Sequence, residues 1–242
     1  MSPRSGTGRD ELWPFPNPLW PDSPWEMEGT VVTAWFHADP SALAKLAHPD
    51  FPPASDGRQA RIRFYQIEAQ ADGWSVPFRE AVVAYKTEFS GVKGELSALM
   101  WTDSLPYLAW GREVFGWPLQ LGDIKLASGL WGGDRASSAD CRIGDLSLTS
   151  VLIGEELAGN TSGPPIWITP HRVVDAIDPQ AETRRVYAVR PRVMKPGRVF
   201  RCSGVLDVRS LLGEVVDAEI DLVTDFQIEV GADVKEIGRS HV

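Results

Sequence analysis

From residue 60 onward the chain is written in short apolar runs and period-two alternations, the signature of strands whose side chains leave the backbone on opposite faces. Candidate strands are Ala60 to Ala69, Glu80 to Phe89, Gly94 to Trp101, Leu121 to Leu126, Asp134 to Ile143, Leu146 to Leu152, Ile166 to Thr169, Val173 to Ile177, Arg185 to Pro191, Arg198 to Leu206 and Ala218 to Val230. Turn signals at Ser90-Gly91, Gly132-Gly133, Gly163-Pro164 and Pro196-Gly197 separate several of them. Ahead of this block, Thr30 to Phe36 is β-branched and aromatic and predicts another strand. Two helices interrupt the pattern. Asp39 to Ala47 offers a capping aspartate, an early proline and leucines at 43 and 46, and residues 105 to 115 repeat Leu105, Leu108, Ala109 and Phe115 at helical spacing. Many strands at roughly ten-residue spacing predict an α+β fold, mainly antiparallel β, closed as a barrel or folded as a sandwich.

Residues 1 to about 30 depart from this pattern. Pro14, Pro16, Pro18, Pro21 and Pro24 stand among Trp13, Trp20 and Trp25, and prolines at that density exclude a helix or a central strand. An extended arm is expected, its tryptophans buried against the body or a neighbouring subunit. The remainder, 31–242, is read as one domain. A 43% hydrophobic and 24% charged composition suits a soluble globular protein, and the net charge of -9 without a basic cluster argues against nucleic acid. No run reaches the roughly 18 to 20 apolar residues of a membrane span, and the N-terminus lacks the apolar stretch of a signal peptide, so a cytoplasmic protein with no membrane association is expected. Cys141 and Cys202 predict buried thiols rather than a disulfide framework or a metal site.

Phosphate-loop, zinc-protease and nucleophile-elbow signatures are absent from the sequence. The histidines at 37, 48, 171 and 241 are too scattered to predict a metal. Carboxylates among apolar strand residues then become the candidates, because an acid inside a small barrel is costly unless paired or used. Glu68, Glu80, Glu88 and Glu113 meet that description, with a solvated position or a structural ion pair as the ordinary alternative for each.

The block Glu80 to Gln120, EAVVAYKTEFSGVKGELSALMWTDSLPYLAWGREVFGWPLQ, resembles the core of the acetoacetate decarboxylase family. Members of that family carry a glutamate, a Gly-x-Lys-Gly-like turn, a Met-containing strand, an Asp, and Gly-Arg-Glu-x-x-Gly-x-Pro-Lys-Lys. The matching residues here are Glu80, Gly91 to Gly94, Met100, Asp103 and Gly111 to Pro118. The resemblance implies an acetoacetate decarboxylase-like fold, a small-molecule substrate, no cofactor and a homo-oligomer. In the family the first lysine after the proline forms a Schiff base with a ketone and the second lowers its pKa. Leu119 and Gln120 occupy those positions, and neither can form an imine. The family's substrate-handling arginine falls at His37, and a second glutamate at Tyr65.

These correspondences predict acid/base chemistry without an imine, such as cyclisation, dehydration or lyase chemistry, on a ketone-containing substrate of secondary metabolism, polyketide-like molecules included. Glu80 would be the general acid/base, with His37 and Tyr65 donating hydrogen bonds to a carbonyl or enolate oxygen. Arg112 would meet a substrate carboxylate or else bridge to Glu113 and hold the turn. Met100, Trp101, Phe115, Trp117 and Leu119, with Gln120 beside them, predict an apolar pocket larger than one for acetoacetate. Two other readings remain open at this point. One is a non-catalytic protein that binds a hydrophobic metabolite. The other is a decarboxylase or aldolase with a relocated nucleophile, Lys86, which shares a strand face with Glu80.

Overall fold

A computed structural model describes residues 24–55, 59–71, 73–126, 138–157, 166–174 and 182–241. The arm's Trp13 and Trp20, the turns at Gly132-Gly133 and Gly163-Pro164, and parts of several expected strands lie outside these residues. Four long strands form the centre: β1 (Trp25–Ala38), β2 (Ala60–Ala71), β3 (Trp74–Phe89) and β4 (Val92–Thr102). Two short strands follow, β5 (Leu119–Leu121) and β6 (Lys125–Leu126), then β7 (Ser138–Ile143), β8 (Leu146–Glu156), β9 (Trp167–Val174) and β10 (Glu182–Val189). The chain ends with β11 (Arg192–Lys195), β12 (Arg198–Asp207), β13 (Val215–Val230) and β14 (Val234–His241). Pairing follows the path β14-β10-β9-β4-β3-β2-β1-β13-β12-β8-β7-β6, antiparallel except where β4 meets β5 and β9. Among the described residues the path stays open, with β14 and β6 at its ends.

Among the described residues three helices accompany the sheet: α1 (Pro40–Leu46), α2 (Leu105–Phe115) and α3 (Arg209–Leu212). The Asp39 carboxylate caps α1 by accepting from the backbone of Ser41 and Ala42, both at 2.9 Å. β1 begins at Trp25, inside the segment expected to be arm, because Trp25 is buried and stacks on Trp110 of α2 at 4.5 Å between ring centres. The β2–β3 hairpin is longer than the alternation suggested and turns at Gly73. At the tip joining β3 and β4, Ser90 and Gly91 have φ of 50° and 76°, the left-handed pair that a tight hairpin turn requires.

The central strands are buried on both faces. Val32, Ala34, Phe36, Ile62, Phe64, Ala81, Val83 and Tyr85 pack in one core, which also holds the free thiols Cys141 and Cys202. On the opposite face Trp25, Met27, Val31, Ile67, Val82 and Met100 meet α2 and the turn after it. From Arg61 to Phe64 on β2 and from Glu80 to Tyr85 on β3 both faces are covered, so Arg61, Arg63 and Glu80 are interior charges.

The segment after α2 is closed by two glycines. Gly116 takes φ 65° and ends the helix, its N–H and that of Trp117 reaching the carbonyls of Arg112 and Gly111. Pro118 then prevents the helix from continuing, and the chain folds back so that Leu119 lies on α2. A Cβ on Gly111 would stand 2.3 Å from Leu119 Cδ1 and 3.0 Å from the Trp117 ring. Replacing a helical Gly by Ala ordinarily gains about 1 kcal/mol. Here Gly111→Ala is expected to lose about 1–3 kcal/mol through overpacking. Urea denaturation measures the loss, and the Leu119→Ala background should reduce it.

Candidate active site

Registry across the central strands builds the site in rows. Val31, Tyr65, Glu80 and Thr102 lie side by side on one face, with Thr33, Arg63, Val82 and Met100 in the next row and Trp35, Arg61, Ala84 and Ser97 in the third. A small cavity of about 30 Å³ opens on the first two rows, where Glu80, Tyr65, Arg63 and Met100 meet Met27, Tyr107, Trp117, Trp167 and Ile228. That volume holds one or two water molecules.

Glu80 is 5% exposed and Tyr107 2% exposed. The Tyr107 hydroxyl donates to Glu80 Oε1 at 3.2 Å, while the ring stacks on Phe78 at 3.9 Å. Burial pushes the Glu80 carboxyl up to about 7, against smaller downward pulls from the Arg63 charge and the Tyr107 hydrogen bond. The same burial raises Tyr65 and lifts Tyr107 well above the ordinary tyrosine value, keeping both as neutral donors. Arg63 donates from Nη1 to Tyr65 Oη at 2.7 Å. Its Nε is buried with no hydrogen-bond partner among the described residues.

Behind Arg63 stands a carboxylate that alternation hides. Glu95 takes an ion pair from Arg61 and lies 3.5 Å from Arg63 Nη2, all three side chains being less than a tenth exposed. Arg61 also lies over the Trp35 ring at 4.4 Å, and burial lowers its guanidinium to about 10. Counted by parity, Glu95 and Met100 should point to opposite faces of β4. A β-bulge reconciles them: Val83 pairs with Leu99 but Ala84 with Ser97, leaving Ala98 as an extra residue that brings Glu95 round to the Arg61 face.

The cavity gathers Glu80, Tyr65, Met100 and Trp117 of the expected residues, and excludes the rest. His37 pairs with Val216. It lies six positions beyond Val31 on β1, roughly 20 Å along the strand from the row of Glu80, too far for a shared hydrogen bond. Arg112 and Glu113 are exposed on α2. Trp101 faces the opposite core from Met100, and Gln120, paired with Trp101, is exposed. Leu119 and Phe115 are buried, Leu119 against Gly111 and Phe115 stacked on Trp117, without lining the cavity. Glu68 and Glu88 are exposed. Lys86 does share the Glu80 face, but six residues away, roughly 20 Å, with Nζ over Trp35 at 5.1 Å. Where a large apolar pocket is expected, aromatic rings and a polar cluster leave a cavity of only about 30 Å³.

Arg61, Arg63, Glu95 and Tyr107 went unnoticed in the sequence. Their signal was a pair of arginines alternating with Ile62 and Phe64 in β2, which reads as a solvated face until β2 is known to be covered on both sides.

A family model described as acetoacetate decarboxylase (ADC) matches residues 3–156 of the 242. No curated protein matches. Among solved structures, the enduracididine biosynthesis enzyme MppR, complexed with the condensation product of pyruvate and imidazole 4-carboxaldehyde, is 17% identical over 91% of each chain, with TM-score 0.68. An acetoacetate decarboxylase-like enzyme from Sphingomonas wittichii RW1 is 14% identical, covers 93% of this chain and 94% of its own, and has TM-score 0.67. An acetoacetate decarboxylase is 16% identical over 92% of each chain, with TM-score 0.68. These likenesses carry the fold.

The Glu80 carboxyl has a linkage consequence. Between its unfolded value of about 4.5 and its folded value of about 7, the folded protein keeps a proton that the unfolded chain has released. Stability therefore falls as pH rises through that window. Urea unfolding from pH 5 to 7.5 should show wild type losing stability relative to Glu80→Gln, with a slope difference of at most about 1.4 kcal/mol per pH unit. Parallel curves would mean that the carboxyl titrates normally.

Proposed function

This chain belongs to the acetoacetate decarboxylase family, and from that premise we propose a small-molecule enzyme that performs acid/base chemistry, without an imine, on a ketone-containing carboxylic acid. The observation that carries the proposal is Glu80: a carboxyl buried at a cavity, held by one tyrosine and poised near neutral pH. A group half-protonated at working pH is suited both to take a proton and to return it. In this reading Glu80 removes a proton from the carbon beside the ketone. Tyr107 or Tyr65 donates a hydrogen bond to the developing enolate oxygen, in a buried site where such a bond counts for more. Arg63, with its free Nε, meets the substrate carboxylate.

The imine is left out because Leu119, at the family's Schiff-base position, has no amine and is 1% exposed, while Lys86 lies roughly 20 Å along β3 from Glu80. Enolisation is the step that cyclisation, dehydration and carbon–carbon cleavage of keto acids share, and MppR, with a pyruvate condensation product bound, suggests keto acids from biosynthetic pathways as substrates. Admitting one requires Trp117 or Trp167 to swing aside, since the cavity is about 30 Å³. That same small volume favours a second reading, a member of the family that binds a small ligand without turning it over.

Incubation with pyruvate and small 3-keto acids in deuterium oxide tests both readings. Wild type is expected to exchange the α-protons, followed by proton NMR, and Glu80→Gln to slow exchange by about 10²-fold or more. Equal rates in the two proteins would remove Glu80 from the chemistry, and no exchange above background would leave the binding reading. Borohydride added to the same mixtures should trap nothing. A reduced adduct mapped to any lysine would restore an imine mechanism.

A further inference from the structure

Among the described residues, Glu95 is the one buried carboxylate beside the site that the chemistry above does not use. It reaches the interior only because of the bulge at Ala98, a feature that costs ladder pairing and recurs beside active sites to re-aim a side chain. Its Oε2 holds Arg61 and approaches Arg63 Nη2 at 3.5 Å, and Arg63 continues to the Tyr65 hydroxyl at 2.7 Å and lines the cavity with Glu80. One carboxylate thus stands against two guanidinium groups, and Arg63 is the member of the three that adjoins Glu80.

We propose, resting on the reading of Glu80 as the acid/base group, that Glu95 is its positioning residue: anchored by Arg61, it holds Arg63 in place and partly neutralises it, and so sets how much positive charge reaches the Glu80 carboxyl. Among the described residues, the charged and titratable groups facing Glu80 are Arg63 and Tyr65 from β2 and Tyr107 from α2. β1, β9 and β13 contribute Met27, Trp167 and Ile228, and β4 contributes Met100 and Ser97, with Glu95 one contact further back. Tyr65 and Tyr107 stay neutral, so Arg63 is the adjustable charge. A cation favours the ionised carboxylate. If Glu95 tempers that cation, removing its charge strengthens the pull and lowers the pH at which Glu80 titrates, whereas removing Arg63 raises it.

The test needs no substrate, so it remains interpretable if the exchange assay fails. Protein labelled with ¹³C-glutamate is titrated by carboxyl NMR, the Glu80 signal being assigned by its loss in Glu80→Gln. Glu95→Gln is expected to lower the Glu80 midpoint by about one pH unit, a tenfold change in proton affinity, and Arg63→Gln to raise it. The double variant should titrate like Arg63→Gln alone, because Glu95 acts through Arg63. A wild-type midpoint in Glu95→Gln, or a Glu95 effect that persists without Arg63, overturns the proposal. Glu95→Gln leaves two buried guanidinium groups without a carboxylate and can fail to fold. In that event Glu95→Asp, which keeps the charge but withdraws it by one methylene, is expected to shift the midpoint the same way by less, and an unmoved midpoint again overturns the proposal.

Discussion

Two guanidinium groups buried on one face of a central strand need a counter-charge, and the arrangement around Arg61 and Arg63 follows from that need. An unpaired ion in the interior costs several kcal/mol even after relaxation. β2 cannot supply the partner, since its alternate positions Ile62 and Phe64 belong to the opposite core. β3 offers Val82 and Ala84 opposite the two arginines. The carboxylate comes instead from the next strand, and β4 gives up a paired residue at Ala98 to bring it round. Arg61 and Lys86 both lie against the Trp35 ring, at 4.4 and 5.1 Å from its centre. What reaches the cavity is Arg63, compensated by a carboxylate that it shares.

The turn after α2 responds to a different constraint, space. Gly111 and Gly116 stand five residues apart, the first admitting Leu119 against the helix and the second reversing the chain. This return path puts position 119 next to Met100 on β4. Leu119 closes down on Gly111 and adds roughly 1.5–3 kcal/mol of burial. Position 119 is packing here: its side chain lies against α2 and outside the lining of the cavity.

The sequence disclosed those parts of the molecule that depend on local order. Residues 105–115 form a helix because capping, spacing and terminal glycine agree, and Glu80 stands out as an acid among apolar neighbours on a strand. Parts that depend on two strands at once were hidden. Arg61 and Arg63 look solvated until both faces of β2 are known to be covered. Glu95 falls on the wrong face by parity until the bulge is seen. His37 corresponds to the family's arginine only in order along the chain, and position along a strand is a distance: six residues put it out of reach. Trp101 and Gln120 failed for the alternating reason, lying one residue from Met100 and Leu119 and therefore facing the other way.

Energetics bear on whether the cavity is used or merely inherited. A protein that kept only the fold would gain by replacing Glu80 with an apolar residue, since a carboxyl held near pH 7 by burial is destabilising whenever it ionises. Filling the cavity would gain too, and the surrounding rings of Trp117, Trp167 and Tyr107 have ample apolar surface for it. Instead the space is bordered by an acid, a phenol that donates to it and a cation with an unfilled donor, in contact with one another or a single step apart. Structural ion pairs do not need a cavity, and structural cavities do not need a titrating acid. Their coincidence at Glu80 is what the proposed site for proton transfer requires.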